Sequence, residues 1–76
     1  MLIRPNPNNG NFTIELTYVT NKTTIEIFDH IGKLIFGSKI ISLETELNSG
    51  LPKGNYVAKI LENNAVISIQ NLFIGE

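Results

Sequence analysis

Leu51-Pro52-Lys53-Gly54-Asn55-Tyr56-Val57-Ala58-Lys59-Ile60-Leu61-Glu62-Asn63-Asn64 is the stretch on which the fold turns. Proline second and glycine fourth in Leu51-Pro52-Lys53-Gly54 is the residue order of a type I turn. The stretch that follows is apolar at both parities, with Tyr56, Ala58 and Ile60 set against Val57 and Leu61. Successive strand residues point to opposite faces, so this pattern predicts a central strand covered on both sides. Asn63-Asn64 supplies two residues that tolerate positive φ, which a two-residue hairpin turn of the primed kind requires. A tyrosine entering a central strand just after a corner caps the turn through its hydroxyl in many sandwiches. Tyr56 is read in that way rather than as a ligand-stacking aromatic.

Working outward, the last strand places Ile67 and Ile69 on one face and then Leu72 and Ile74 on the other, a parity switch around Gln70-Asn71 that predicts a bulge or a change of sheet. Upstream, residues 40–47 alternate Ile41, Leu43, Thr45 and Leu47 with Ser42, Glu44 and Glu46, a strand that exposes its carboxylates. Leu34, Ile35 and Phe36 are apolar on both faces and predict a well-covered return strand, with a bulge at Gly37-Ser38. Before them, Asp29-His30-Ile31-Gly32 reads as a hairpin loop closing a strand over 23–29 that carries Ile25 and Ile27 on one face. Thr20-Asn21-Lys22 is a turn. The clearest alternation is Phe12, Ile14, Leu16 and Tyr18 against Thr13, Glu15 and Thr17, which predicts a strand over 12–18. Asn8-Asn9-Gly10-Asn11 is a turn ahead of it, Pro5-Asn6-Pro7 is a rigid extended piece, and Leu2 and Ile3 form a short edge strand. No segment carries a helical period. About seven short strands with turns every 8–12 residues predict an all-β antiparallel sandwich.

Composition agrees and narrows the function. Ten asparagines and twelve isoleucines in 76 residues are turn formers and β-branched core residues. The length allows a single domain, residues 1–76, and so small a chain without cysteine must commit nearly every apolar side chain to one core. A formal net charge of −1 with dispersed lysines does not make the basic stripe that nucleic acid needs. There is no apolar run near 18 residues and so no membrane-spanning segment is expected. Absence of cysteine suits a reducing compartment or an exported domain that folds without bridges.

Candidate chemistry is sparse. Asp29 and His30 are the one possible acid–base pair, and adjacent residues in an exposed loop lack the orienting shell such work needs. Glu44, Glu46 and Asn48 share a face, but without a glycine turn to gather six to eight oxygens they read as a solvated strand rather than a calcium site. Two glycosylation-type triplets, Asn11-Phe12-Thr13 and Asn21-Lys22-Thr23, sit where turns want Asn and Thr anyway. No catalytic residue, metal or cofactor is expected.

The order of the punctuating blocks is more informative than any one block. Pro5-Asn6-Pro7-Asn8-Asn9-Gly10-Asn11-Phe12-Thr13-Ile14 is followed by Ile25-Glu26-Ile27-Phe28-Asp29-His30-Ile31-Gly32-Lys33-Leu34-Ile35, then Leu51-Pro52-Lys53-Gly54-Asn55-Tyr56-Val57, then a last apolar strand. Carried by Pro5, Asn6, Pro7, Gly10, Asp29, Gly32, Leu51, Gly54 and Tyr56, this series resembles the C-terminal sorting domain of cargo proteins of the type IX (Por) secretion system of Bacteroidetes. The resemblance implies a seven-stranded, immunoglobulin-like sandwich fused behind an exported cargo. It implies passage through the periplasm, recognition by the outer-membrane translocon and its shuttle, removal by a signal peptidase, and release or surface attachment of the cargo. Where family members often carry lysines before the terminal strand, this chain has Gln70 and Asn71. Gln70, Asn71, Leu72, Phe73 and Ile74 are the expected recognition element, presented as a sheet edge. Met1 directly ahead of the motif fits a domain excised from a longer protein. The alternatives are an accessory carbohydrate-binding-like module and a passive spacer domain; against the first, the chain has no tryptophan for an aromatic platform.

Overall fold

The computed structural model describes residues 1–75. Seven strands follow in chain order: β1 (Leu2–Arg4), β2 (Asn11–Glu15), β3 (Thr23–Phe28), β4 (Leu34–Lys39), β5 (Glu44–Asn48), β6 (Gly54–Glu62) and β7 (Ala65–Ile74). They form two antiparallel sheets, β1-β2-β5 and β4-β3-β6-β7. First, second and fifth strands in one sheet and third, sixth and seventh in the other follow the immunoglobulin partition, while the fourth strand joins the third rather than the first, second and fifth as in the constant-type fold.

The core lies between the sheets. Ile3, Phe12 and Ile14 from the smaller sheet meet Ile25, Ile27, Tyr56, Ala58, Ile60, Leu72 and Ile74 from the larger one. Period-2 alternation produces this directly, since in β3 Thr23, Ile25 and Ile27 are buried while Thr24, Glu26 and Phe28 are half-buried on the other face. β6 is central, flanked by β3 and β7, as its two apolar faces require. The β6–β7 turn has Asn63 at φ 52° and Asn64 at φ 68°, the left-handed pair of a primed hairpin. At the other end of β6 the Tyr56 hydroxyl donates to the Pro52 carbonyl at 2.5 Å, and its ring lies against Gly54. The corner is thus tied to the core by one side chain.

Five expectations are corrected. The strand over 12–18 stops at Glu15; Leu16 still packs on the core, but Tyr18 is exposed. β4 is an edge strand rather than a covered one, with Leu34 exposed. Its irregularity falls at Ile35, skipped between the pairs Phe28↔Leu34 and Ile27↔Phe36, and Gly37 stays in register opposite Glu26. The strand over 40–47 shrinks to β5, because Ile40 turns inward as a core plug while Ile41 and Leu43 face solvent. Finally, the irregularity in β7 lies at Ile67, skipped between Leu61↔Val66 and Ile60↔Ser68, and not at Gln70-Asn71. This extra residue shifts the parity early, so Ile69 faces out while Leu72 and Ile74 enter the core.

Candidate functional site

The expected recognition element is the end of β7, and the larger sheet does place it at an edge. Its five residues divide by parity. Leu72 and Ile74 are buried opposite Tyr56 and Gly54, and Gln70 is half-buried opposite Ala58. Asn71 and Phe73 point away from the core, with Phe73 41% exposed. Those two side chains are what the element offers to a partner.

Its backbone edge is not open. The side chain of Asn6 forks onto β7, its Nδ2 donating to the Asn71 carbonyl and its Oδ1 accepting from the Phe73 amide, both at 2.9 Å. A carboxamide carries the same donor and acceptor as a peptide group, so it stands in for one residue of a neighbouring strand. Two residues on, Asn8 does the same with its main chain. The Asn8 amide donates to the Phe73 carbonyl at 3.0 Å, and the Gly75 amide donates to the Asn8 carbonyl at 2.7 Å. Asn8 forms a parallel bridge with Ile74. The Pro-Asn-Pro segment is therefore a clasp on the last strand. The peptide bonds before Pro5 and Pro7 are both cis.

Asn8 was legible in the sequence only as a turn residue, and it does more. It is buried, its Nδ2 donates to the Pro5 carbonyl at 3.0 Å, and its Oδ1 accepts from the Gly10 amide at 2.8 Å. Side chain and backbone together hold the clasp, the turn and the strand end in one place. The signal that could have found it is the repeated Pro-Asn, which sets two carboxamides on a stiff frame. Gly10, at φ 102°, takes a left-handed conformation that leaves its carbonyl to accept from both the amide and the hydroxyl of Ser49.

The other motif residues are scaffolding. Asp29 Oδ1 accepts from the amides of Ile31 and Lys33 at 3.0 and 2.9 Å, closing the β3–β4 loop, and Gly32 takes φ 88° there. That carboxylate oxygen is committed to the loop backbone, and no hydrogen bond joins Asp29 and His30 among the described residues. Leu51 packs on the core beside the corner. Glu44 and Glu46 lie on the solvent face of β5, with Glu44 3.9 Å from the Arg4 guanidinium that pairs with Glu15. Of the two glycosylation-type triplets, the second is occupied structurally, because Thr23 is buried and its hydroxyl donates to Glu62 Oε1 at 2.6 Å. Thr20 bonds the other oxygen of the same carboxylate. These hydroxyls, Thr20 foremost, hold the Glu62 carboxyl below the usual glutamate range, with Lys22 assisting and partial desolvation opposing.

An open cleft of about 180 Å³ lies at one end of the sandwich between Leu16, Tyr18, Ile60 and Ile67. It is smaller than the roughly 300–1,000 Å³ of small-molecule pockets. Among the described residues no helix is long and apolar enough to cross a membrane.

Residues 2–74 match the family described as secretion system C-terminal sorting domain. The chain belongs to that family. No curated protein matches it. The sorting domain is thus a type IX secretion signal, a class of domain defined by targeting rather than by catalysis, and it implies a fused cargo and transit toward the cell surface or beyond. The match takes in both the Pro-Asn-Pro clasp and the strand that it holds.

Proposed function

We propose that the sorting domain is recognised by the outer-membrane translocon of the type IX system and its shuttle through the C-terminal half of β7. Asn71 and Phe73 make the contact; Gln70, Leu72 and Ile74 fix the strand beneath them. In this reading a cargo fused ahead of residue 1 reaches the periplasm, is carried across the outer membrane by this signal, and is freed from it by the system's signal peptidase. The observation that supports the reading is convergence. Asn6 and Asn71, separated by 65 positions, meet in one surface patch, so the first and last blocks of the family motif form one feature. Because the clasp already satisfies the edge backbone of residues 71–75, recognition works through outward side chains rather than through strand addition there.

The test is fusion of residues 1–76 to a Sec-exported reporter in a type IX-competent bacterium, assayed in periplasm, cell surface and medium. The intact domain should deliver the reporter outside, and removal of residues 71–76 should strand it in the periplasm. Asn71→Ala with Phe73→Ala should reduce delivery while circular dichroism and thermal midpoint stay near those of the parent. A parent fusion that remains periplasmic, or a truncated one that is still delivered, would refute the proposal.

A further inference from the structure

The outer face of the larger sheet is unlike the solvent face of an ordinary sandwich. Register places its outward side chains in rows across β4, β3, β6 and β7. One row runs Lys39, Thr24, Leu61, Val66; the next Gly37, Glu26, Lys59, Ile69; the next Leu34, Phe28, Val57, Asn71. Six of these twelve positions carry apolar side chains, and Ile69 is 61% and Leu34 49% exposed. Leu61 is buried yet lies outside the core cluster, sheltered by its neighbours on this outer face. Solvent faces of antiparallel sheets are normally polar, and contiguous apolar faces mark interaction sites.

We infer that this face is the interface of a symmetric dimer, a second copy of the same chain packed sheet on sheet. The pattern is self-complementary about one particular axis. A two-fold axis along the strands between β3 and β6 exchanges those two columns and keeps every row in place. Glu26 then lies over Lys59 of the second copy, and Lys59 over its Glu26, two ion pairs by symmetry. Phe28 meets Val57. Ile69, the most exposed large apolar side chain of the three rows, falls over Gly37, the one outward position with no side chain to fill it. A two-fold axis along the rows would instead set Glu26 on Glu26, which like charge disfavours.

Within one copy the charges are left available for this. Glu26 and Lys59 are directly opposite on neighbouring strands. Even so, the Lys59 ammonium leans over the Phe28 ring, 4.6 Å from its centroid, and no ion pair of Glu26 occurs among the described residues. Area is adequate for weak association. Four strands ~4.8 Å apart and about seven residues long give a footprint on the order of 400 Å². Side-chain relief raises the accessible area lost toward the roughly 600 Å² per copy at which specific interfaces begin. Association on such an area is weak, and it covers Asn71 of the third row, so dimer formation and translocon contact would use that end of the face in turn.

Sedimentation equilibrium of the full chain from micromolar to millimolar concentration tests this. The parent should show a reversible monomer–dimer equilibrium. Lys59→Glu should weaken it by about tenfold or more, because both cross-axis pairs become repulsive. The double variant Glu26→Lys with Lys59→Glu should return it to near the parent value, because both cross-axis pairs are restored with their signs exchanged. Ile69→Lys, at a solvent-exposed position whose change leaves folding intact, should also abolish it. A parent that stays monomeric throughout, or a charge swap that fails to rescue while remaining folded by circular dichroism, would overturn the inference.

Discussion

Replacing Asn6 by alanine isolates the clasp. The side chain gives two hydrogen bonds of 2.9 Å to the backbone of β7. A protein hydrogen bond contributes about 0.5–1.5 kcal/mol net, and here the freed groups regain water because the site is exposed. Values near the lower end of that range apply, about 0.5–0.75 kcal/mol each, so two bonds amount to about 1–1.5 kcal/mol. For a domain of this size that is a fall in thermal midpoint of about 5–10 °C. The loss is local first: amide exchange at Phe73, whose N–H is released, should accelerate about five- to twelve-fold by the same free energy. Asn71→Ala is the control, since the bond is to the Asn71 carbonyl and survives. Asn6→Asp should recover part of the loss, because a carboxylate still accepts from Phe73 but cannot donate to Asn71. An Asn6→Ala variant with unchanged midpoint and unchanged exchange at Phe73 would refute the view that this side chain fastens the last strand.

Tyr56→Phe removes only the hydroxyl that meets the Pro52 carbonyl and should cost about 1–2 kcal/mol in urea unfolding, whereas Tyr56→Ala, which also empties the core beside Gly54, should cost about 3–5 kcal/mol. Leu72→Ala, at a side chain with no exposed surface, should cost about 2–5 kcal/mol in the same assay. Glu62 is held below its ordinary value of 4.5 by the Thr20 and Thr23 hydroxyls. Its folded-state value being the lower one, its contribution is complete above pH 4.5 and disappears as pH falls through the depressed value; Glu62→Gln should flatten thermal midpoint against pH in that acid window and leave the neutral limb's slope unchanged.

Much of the fold is written in short-range signals. The 54–62 stretch declares a central strand because both parities are apolar, and Asn63-Asn64 declares its hairpin because few residues accept two positive φ values in succession. Tyr56 and Asp29 are legible for the same reason: each bonds a backbone group within four residues. What escapes is set by longer range. Alternation in β7 cannot reveal that Ile67 is an extra residue, because a one-residue slip inverts every later side chain and only pairing with β6 fixes where it happens. The apolar doublets of β4 read as covered, yet topology puts that strand outermost. Asn8 looks like any turn asparagine until Phe73 and Gly75 arrive beside it.

The clasp also orders events in time. Its bonds link positions 65 and 67 apart, and one joins Asn8 to Gly75. The chain emerges from the ribosome N-terminus first, so the Asn6 side chain and the Asn8 main chain wait for these partners until β7 and Gly75 have been made. Everything ahead of them is free to fold while they wait. A closed clasp is accordingly a physical record that β7 has been made, and a chain broken off before β7 presents an opening motif that cannot be made whole.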